Sequence, residues 1–375
     1  MHDLEFGEAL LSDRVRAIES SGIRRIFDLG ARLKDPINLS IGLPDFPVPE
    51  AVREAAKRAI DAGHNRYTPT QGIAPLREKV SQKLARDNGV VADPEEVLIT
   101  SGSSGGIFLV LAAILNPGDE IIIPDPYFVM YTQLAYFFGA RPVLVDTYPD
   151  FQLDPDRVAA AITPRTKAIL INSPSNPSGT VYPESTLRAI AALADRHGLL
   201  VLSDEVYESF VYDDTRHFSI GSIYPNTVTM NALSKSHALT GWRIGYAVGP
   251  RPILGKMREL QQYTFVCAPS FAQVAAVTAM DLAPGDVSSF QRRRDLVYEG
   301  LRQRFEVTKP AGAFYIMPRV SETDATQFVE RAIARNVLII PGGIFSARTT
   351  HIRISYATSE ERIRQGIEIL LELAD

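Results

Sequence analysis

From about residue 95, short apolar runs alternate with amphipathic segments, and this alternation restricts the fold more than any other feature of the chain. The runs are rich in Val, Ile and Leu and too short for typical helices, so they predict strands, and the segments between them predict helices. The predicted strands are VLIT (97–100), EIIIP (120–124), RPVLVD (141–146), KAILIN (167–172), LLVLSD (199–204), TVTMNAL (227–233) and RIGYAVG (243–249). Near-continuous apolar strands are typical of parallel sheets buried on both faces. The sequence therefore predicts an α/β fold with a large, mostly parallel sheet covered by helices on both faces.

The pattern changes after about residue 280. A basic segment, FQRRRDLVYEGLRQRF (290–305), predicts a helix, and it is followed by the short predicted strands AFYIMP (313–318) and HIRISYA (351–357). A final amphipathic helix is predicted near the C-terminus. This pattern indicates a smaller α+β domain, which the N-terminal segment is expected to join because chain ends often pack together. The predicted division is a large domain over 46–280 and a small domain formed by 1–45 and 281–375.

Composition and charge exclude several kinds of partner. The 375 residues include 39 Lys and Arg against 44 Asp and Glu, which gives a net charge of −5 and argues against a nucleic-acid partner. A single cysteine, Cys267, forbids an intrachain disulfide and fits the reducing cytoplasm. The first twenty residues contain early acids and no long apolar core, so no secretory signal is expected. The apolar run IFLVLAAIL (107–115) is too short to cross a membrane.

Polar residues follow the predicted strands at the edge where ligands bind in open α/β sheets. After the first strand, Ser101, Gly102, Ser103 and Ser104 open a helix, whose free N–H groups suit a phosphate but also fit an ordinary helix cap. The later strand ends supply amides, an acid, a phenol, a hydroxyl and a lysine: Asn172, Asn176, Asp204, Tyr207, Ser234 and Lys235. A carboxylate at the end of a buried strand is costly unless it meets a cation. These residues are therefore expected to form one site.

The chemistry of this set can be narrowed by elimination. Six scattered histidines and one cysteine give no zinc pattern, so no metal is predicted. The GxSxG motif of serine hydrolases is absent. A lysine in a loop of small residues, beside a phosphate site and a buried acid, suits pyridoxal phosphate. The lysine forms a Schiff base with this cofactor, and the acid keeps its pyridine nitrogen protonated.

Four motifs together resemble the class I, fold-type-I aminotransferases, which use pyridoxal phosphate, and in particular the bacterial and archaeal aspartate/aromatic subgroup. They are NALSKSHALTGWRIGY (231–246), NPSGT (176–180), DEVY (204–207) and RYTPTQGIAPLRE (66–78). The resemblance runs from LSIGLPDFP (39–47) to HIRISYA, which is nearly the whole chain. It implies an aspartate aminotransferase-like fold and transfer of an amino group between an L-amino acid and a 2-oxo acid. It also implies a homodimer with shared active sites.

The resemblance assigns cofactor roles to the matching residues. Lys235 would hold the cofactor and act as general acid and base, and Asp204 would pair with the pyridinium nitrogen. Asn176 and Tyr207 would contact the ring's phenolic oxygen, and Phe128 would stack on the ring. The phosphate would be bound by Gly102, Ser103, Ser104, Ser234 and Arg243, and by Tyr67 reaching across from the other subunit.

The resemblance assigns the substrate's α-carboxylate to Arg353, helped by Gly42 and Asn176. The chain also departs from the family pattern. Ala232 stands where many members have Ser or Gly, and Leu43 stands where relatives often have Glu. Ser104 stands where some aspartate-preferring relatives carry a lysine, which argues against an aspartate preference. Three aromatic residues are candidates for an apolar or aromatic side-chain pocket: Tyr131, Tyr263 and Phe265.

Other interpretations remain open from the sequence. The same cofactor site also serves β-C–S lyases, other α/β-elimination enzymes and decarboxylases, because the cofactor performs the hard step and pocket shape selects the bond that breaks. A binding module that keeps the fold without catalysis is the third possibility, and the intact Lys235, Asp204 and Arg353 argue against it. Phe128 also fits a core position, Tyr207 the face of a helix, and Arg353 a surface strand.

Overall fold

The structure is a computed structural model that describes residues 10–20, 22–31 and 33–374. Residues 1–9, on which the expectation about a secretory signal partly depends, lie outside the described residues. Within the described part, no helix is long and apolar enough to cross a membrane.

The strands are short, as the sequence predicts. In chain order they are β1 Ile37–Asn38, β2 Val97–Ser101, β3 Glu120–Asp125, β4 Arg141–Asp146, β5 Thr166–Asn172, β6 Leu200–Asp204, β7 Thr227–Ala232, β8 Ile244–Val248, β9 Tyr315–Ile316, β10 Val337–Leu338, β11 Ile340–Pro341 and β12 Ile352–Ser355.

The α-helices are α1 Asp13–Arg16, α2 Gly22–Gly30, α3 Glu50–Asp61, α4 Ala74–Lys83, α5 Gly102–Ile114, α6 Met130–Phe137, α7 Pro155–Ala161, α8 Glu184–His197, α9 Leu233–Ser236, α10 Arg251–Tyr263, α11 Ser270–Ala279, α12 Val287–Leu301, α13 Ala325–Ala334 and α14 Glu360–Leu373. A π-helical turn, Leu84–Asn88, continues α4, and short 3-10 turns occur at Pro94–Glu96, Ile220–Ser222, Thr240–Trp242 and Gly342–Ile344.

The seven predicted strands form one sheet in the order β2-β8-β7-β6-β5-β3-β4. Strand β8 runs antiparallel to both of its neighbours, β2 and β7, and every other pair in the sheet is parallel. This arrangement confirms the predicted α/β fold with a mostly parallel sheet.

Apolar cores cover both faces of the sheet because successive residues of a strand point to opposite sides. In β3, Ile121 and Ile123 pack on one face with residues of α5 and α10, such as Leu109 and Met257. Ile122 belongs to the opposite core, together with residues of α8. Burial on both sides explains why the strands read as near-continuous apolar runs rather than as an alternating pattern.

A second set of strands lies outside the large sheet. Strands β11, β12 and β9 form a small antiparallel sheet, and β1 pairs in parallel with β10 through Ile37 and Val337. Leu39, just after β1, shares an apolar core with Ile367 of α14. These contacts support grouping the N-terminal segment with the C-terminal part, while the boundaries 1–45, 46–280 and 281–375 stay a prediction.

Candidate active site

A cavity of about 700 Å³ opens at the carboxyl edge of the large sheet. The pairing of β5 with β6 places Asn172 beside Asp204, which brings two of the predicted strand ends together. Tyr315 and Arg353, from the small sheet, line the cavity, and so does the N-terminal segment around Gly42. Of the residues predicted to bind the cofactor or the substrate's α-carboxylate, all but Gly102 and Tyr67 line this cavity. The structure therefore collects nearly the whole predicted set from distant parts of the chain.

One corner of the cavity combines a guanidinium with the start of a helix. Gly102 begins α5 with a φ of +67°, and a Cβ there would lie 2.5 Å from Nη2 of Arg243, so a side chain at this position would be strained and would displace the guanidinium. Arg243 is held in place because its Nη2 donates to the carbonyl of Ser101 at 3.2 Å and its Nη1 donates to the carbonyl of Thr240 at 3.1 Å. Ser103 and Ser104 form the first turn of α5, where backbone N–H groups have no helical acceptor. A guanidinium beside free N–H groups at a helix start is a strong anion site.

Lys235 lies at the centre of the cavity wall. The prediction that it lies in a loop is wrong, because β7 runs directly into the four-residue helix α9. Its Nζ donates to the carbonyl of Gly42 at 2.7 Å. Burial, together with the charges of Arg353 and Arg243, lowers the pKa of Lys235 to about 8, while Asp204 acts in the opposite direction. The amine therefore loses its proton at a lower pH than an ordinary lysine does.

Asp204 ends β6 on the floor of the cavity without an ion-pair partner within 4.0 Å in the described part of the chain. The hydroxyl of Tyr131 donates to its Oδ2 at 2.7 Å, and the N–H of Val206 donates to its Oδ1 at 3.3 Å. Burial raises the pKa of Asp204 to about 6, although both hydrogen bonds act in the opposite direction. A cationic group bound in the cavity would supply the partner that this carboxylate lacks.

Arg353 is deeply buried, so the alternative of a surface strand residue is wrong. Its Nη1 donates to Oδ1 of Asn176 at 3.0 Å, and its Nη2 donates to the carbonyl of Ser40 at 2.7 Å. Its Nε is buried and has no partner among the residues that the structure describes. The guanidinium carbon lies 4.7 Å from the ring centre of Tyr315 and 4.5 Å from that of Phe345. Burial lowers its pKa. A buried cation without a carboxylate partner is suited to bind one from a ligand.

Tyr207 and Gly42 are both fixed by Tyr315. The hydroxyls of Tyr207 and Tyr315 lie 2.8 Å apart, and a Cβ on Gly42 would lie only 2.0 Å from the Tyr315 hydroxyl oxygen. The segment after β6 is a turn, so Tyr207 does not lie on a helix face. Burial raises the pKa of Tyr207 well above its usual value, which keeps it a neutral hydrogen-bonding group.

Comparisons with known proteins point to one family. The model of the family "Aminotransferase class I and II" matches residues 34–370. A probable aspartate/prephenate aminotransferase of Thermus aquaticus is 40% identical over 96% of this chain and 97% of its own length. Aromatic-amino-acid aminotransferase 2 of Thermococcus litoralis is 39% identical over 96% of each chain. The solved structure of Thermus thermophilus aspartate aminotransferase with maleate superimposes with a TM-score of 0.92 at 39% identity, covering 97% of this chain and 99% of that chain.

The chain belongs to the class I and II aminotransferases. It uses pyridoxal phosphate and transfers an amino group between an amino acid and a 2-oxo acid, as the sequence predicts. Each of the three relatives is named an aminotransferase, and nothing in these comparisons favours the elimination alternative.

Behind Asp204, the aminotransferase contains a buried polar cluster that sequence reasoning missed. Glu205 accepts hydrogen bonds from the hydroxyls of Ser203 and Ser219, from Asn88 and from His217. Burial alone would raise the pKa of Glu205, but its partners outweigh burial and lower it. The sequence contains one indication of this cluster: two adjacent acids, Asp204 and Glu205, follow an apolar strand. Only Asp204 has a role in the predicted site.

The same cluster contains Glu205, Glu208 and His217, whose possible metal-ligating atoms lie within 4.8 Å of one another. Lys83 forms an ion pair with Glu208 at this place, so the cluster already contains a cation supplied by the chain. We interpret these hydrogen bonds and this ion pair as a structural network that holds the end of β6 in place.

Several predicted residues lie away from the cavity of the aminotransferase. Tyr67 is 83% exposed, Tyr263 is 86% exposed and Phe265 is 42% exposed, and none of them lines the cavity. Tyr131 lines it and also reaches Asp204, a contact the sequence did not indicate. Ala232 is buried and offers no hydroxyl to a phosphate, while the half-exposed Leu43 lines the cavity.

Proposed function

We propose that the aminotransferase binds pyridoxal phosphate in this cavity, with the phosphate at the corner formed by Gly102, Ser103, Ser104 and Arg243. The fit is supported by the missing Cβ at Gly102, which keeps the corner open for Arg243. Ser234 lines the cavity directly before Lys235, and its hydroxyl would also contact the phosphate. Phe128 lines the cavity too, and its side chain would cover one face of the ring.

The residues around the cofactor ring would have separate roles in binding the ring and in transferring the α-proton. Asp204 would bind the protonated pyridine nitrogen, and Asn176 and Tyr207 would hydrogen-bond to the phenolic oxygen. When bound, the cofactor withdraws electrons from the substrate's α-carbon and thereby weakens its bond to hydrogen. Lys235 would hold the cofactor and, as a neutral amine, accept the α-proton at Nζ and later return it.

Arg353 would bind the α-carboxylate of the amino acid or 2-oxo acid. Its unpartnered Nε and its place between two aromatic rings support this role. Asn176 and the backbone at Gly42 would complete the contact. The observation that carries the proposal is the single cavity that brings Lys235, Asp204 and Arg353 together.

We propose further that the aminotransferase works as a cytoplasmic homodimer with shared active sites. The largely exposed rings of Tyr67 and Tyr263 are unusual on a free surface and are explained if a second copy covers them. Tyr67 would then reach the partner's phosphate site. The single cysteine, Cys267, fits a reducing compartment.

A panel of amino donors tests the proposed function. Because the relatives are named for aspartate, prephenate and aromatic amino acids, acidic and aromatic donors come first, with 2-oxoglutarate as acceptor and 2-oxo acid formation as the measurement. Activity should disappear in Lys235→Ala and persist in Lys256→Ala, which alters an exposed lysine on α10. Release of ammonia and pyruvate from cystathionine without net amino transfer would instead favour elimination.

A further inference from the structure

The loop that carries Tyr67 is fixed to its own subunit by buried side chains, although the Tyr67 ring is 83% exposed. This loop, residues 62–73, connects α3 to α4. Gln273, on α11, contacts the loop and is completely buried. We propose that Gln273 is a positioning residue, which holds the loop in the shape that brings Tyr67 to the cofactor of the partner subunit. This inference rests on the proposed function, because it assumes shared active sites.

Gln273 joins two parts of the loop to a third segment of the chain. Its Nε2 donates to Oγ1 of Thr68 at 2.9 Å and to the carbonyl of Ala268 at 2.8 Å. Its Oε1 accepts the N–H of Ile73 at 2.9 Å. A buried amide is costly unless it is hydrogen-bonded, and here both of its N–H groups and its oxygen have partners. The position of the loop therefore depends on this one side chain.

Two other side chains restrain the same loop. Gln261 of α10 is also completely buried, and its Nε2 donates to the carbonyls of Thr70 at 2.6 Å and Ile99 at 3.0 Å. The hydroxyl of Ser270 donates to the carbonyl of His64 at 2.6 Å. The backbone of the loop is thus held at several points along its length.

Gly72 shows how closely the end of the loop approaches Gln273. A Cβ on Gly72 would lie 2.3 Å from Cγ1 of Ile99 and 3.2 Å from Oε1 of Gln273, at a φ of +103°. A side chain at this position would be strained and would collide with β2. The end of the loop therefore lies directly against the sheet and against Gln273.

This order in the loop is of use outside its own subunit. None of residues 62–73 lines the cavity of that subunit. Fixing a loop costs conformational entropy, but a loop that is already ordered loses less entropy when it binds. The segment held through Ala268 also carries the exposed rings of Tyr263 and Phe265. Gln273 thus shapes two parts of the surface that the proposed homodimer would bury.

Cofactor binding tests the inference without turnover. Gln273→Met keeps the length of the side chain but removes its hydrogen-bonding groups. We expect the affinity of the cofactor-free protein for pyridoxal phosphate to fall about tenfold, measured by absorbance titration. Hydrogen exchange of the backbone over 64–73 should become faster, because the loop loses its restraints.

A matched control separates this role from a general loss of stability. Thr227→Val removes a buried hydrogen bond to the carbonyl of Tyr224 at the start of β7, at the opposite edge of the sheet from the cavity. It should lower the free energy of unfolding in urea and leave the cofactor affinity unchanged. The inference is overturned if Gln273→Met binds the cofactor as tightly as Thr227→Val does.

A milder variant keeps the test decisive if Gln273→Met does not fold. Thr68→Val removes one hydrogen bond of Gln273 at a half-buried position of the loop. It should weaken cofactor binding about threefold and speed hydrogen exchange over 64–73. An unchanged affinity in folded Thr68→Val, with exchange over 64–73 also unchanged, contradicts the inference.

Mixing two variants shows whether Gln273 acts on the partner's site. In a dimer of Gln273→Met with Lys235→Ala, the inference puts both lesions in one cavity and leaves the other with an intact Lys235 and an intact loop from the partner. After unfolding and remixing in equal amounts, about a quarter of all sites should be intact. Activity, at a cofactor concentration that leaves Gln273→Met mostly unloaded, should exceed the mean of the two parents. Activity equal to that mean, with subunit exchange complete, overturns the inference.

The same mixing with Tyr67→Ala separates this inference from the proposed function. If Tyr67→Ala complements Lys235→Ala and Gln273→Met does not, only the assignment of Gln273 fails. If neither complements it, the shared active site fails and the inference fails with it. If the wild type converts no amino donor, the proposed function fails, and the cofactor titration still decides on Gln273 because it needs no turnover.

Discussion

Arg353 carries a charge in the protein interior, and the described part of the chain does not satisfy all of its donors. Two of its nitrogens donate to Asn176 and to the carbonyl of Ser40, and its Nε has no partner there. Replacing Arg353 tests whether its guanidinium binds the α-carboxylate that all substrates share. Arg353→Lys should raise KM by about 10- to 100-fold for every amino donor alike, because lysine cannot make the two-pronged contact. Steady-state kinetics over acidic, aromatic and aliphatic donors measure this effect. A defect limited to acidic donors would mean that Arg353 binds the second carboxylate instead.

Lys235 allows a prediction about pH because burial moves its pKa from the ordinary 10.5 to about 8. Below pH 8 the side chain is charged in both states, and its burial costs free energy. Between pH 8 and 10.5 only the unfolded chain binds this proton, so the free energy of unfolding rises with pH in this window. Relative to Lys235→Met, the cofactor-free wild type should gain about 1–3 kcal/mol between pH 7.5 and pH 10. Urea unfolding of both proteins at the two pH values measures the gain, and a constant difference between them would contradict the predicted pKa.

For single residues, sequence motifs predict which of them form the site but not how they contact one another. Lys235, Asp204 and Arg353 lie in short sequence motifs that are sufficient to predict their roles. The contact of Tyr131 with Asp204 joins residues 73 positions apart and arises only when the strands lie side by side. The Tyr315 hydroxyl, which contacts Tyr207 and excludes any side chain at Gly42, depends on how the small sheet packs against the large one. No local pattern contains that information.

Among the elements, the strands of the large sheet were predictable to within about one residue, because apolar runs mark buried strands. The two-residue strands β1, β10 and β11 were not predicted. The direction of β8 was not predicted. Its connection from β7, residues 233–243, is too short for the crossover that a parallel neighbour needs, so this length was the available signal. The π-helical turn Leu84–Asn88 has no signature in the sequence that we recognise.

A substitution at the start of helix α5 tests the proposed phosphate corner. Gly102→Ala would place a Cβ 2.5 Å from Arg243 at a φ of +67°. Both the strain and the displaced guanidinium should disturb the proposed phosphate corner, and we expect the affinity for pyridoxal phosphate to fall about tenfold or more. Gly118→Ala is the control, because Gly118 has a φ of +87° but no atom of the described residues lies within 4 Å of where its Cβ would be, so it tests strain alone. Absorbance titration with the cofactor measures the affinity. Equal effects of the two substitutions would count against the proposed corner.

At the scale of the whole molecule, the role of Tyr67 depends on whether a second subunit is present. The Tyr67 ring is 83% exposed and lies outside the cavity of its own subunit, so it buries little surface against the described part of that subunit. We expect that in a homodimer it serves the partner's cofactor site, and that Tyr67→Ala therefore weakens cofactor binding without destabilising the folded subunit. Exposed large-to-small substitutions elsewhere on the surface usually change stability little. Urea unfolding of the cofactor-free variant checks the second half of this expectation.

Mixing two inactive variants decides whether the sites are shared. In a dimer of Lys235→Ala with Tyr67→Ala, a shared site puts both lesions in one cavity and leaves the other with an intact Lys235 and the partner's intact Tyr67. After unfolding and remixing in equal amounts, random pairing makes half of the dimers mixed, so about a quarter of all sites should be intact. Activity should therefore exceed the mean of the two parents, measured at a cofactor concentration that leaves Tyr67→Ala mostly unloaded. If subunit exchange is complete and the activity equals that mean, Tyr67 acts within its own subunit, and its exposure requires another explanation.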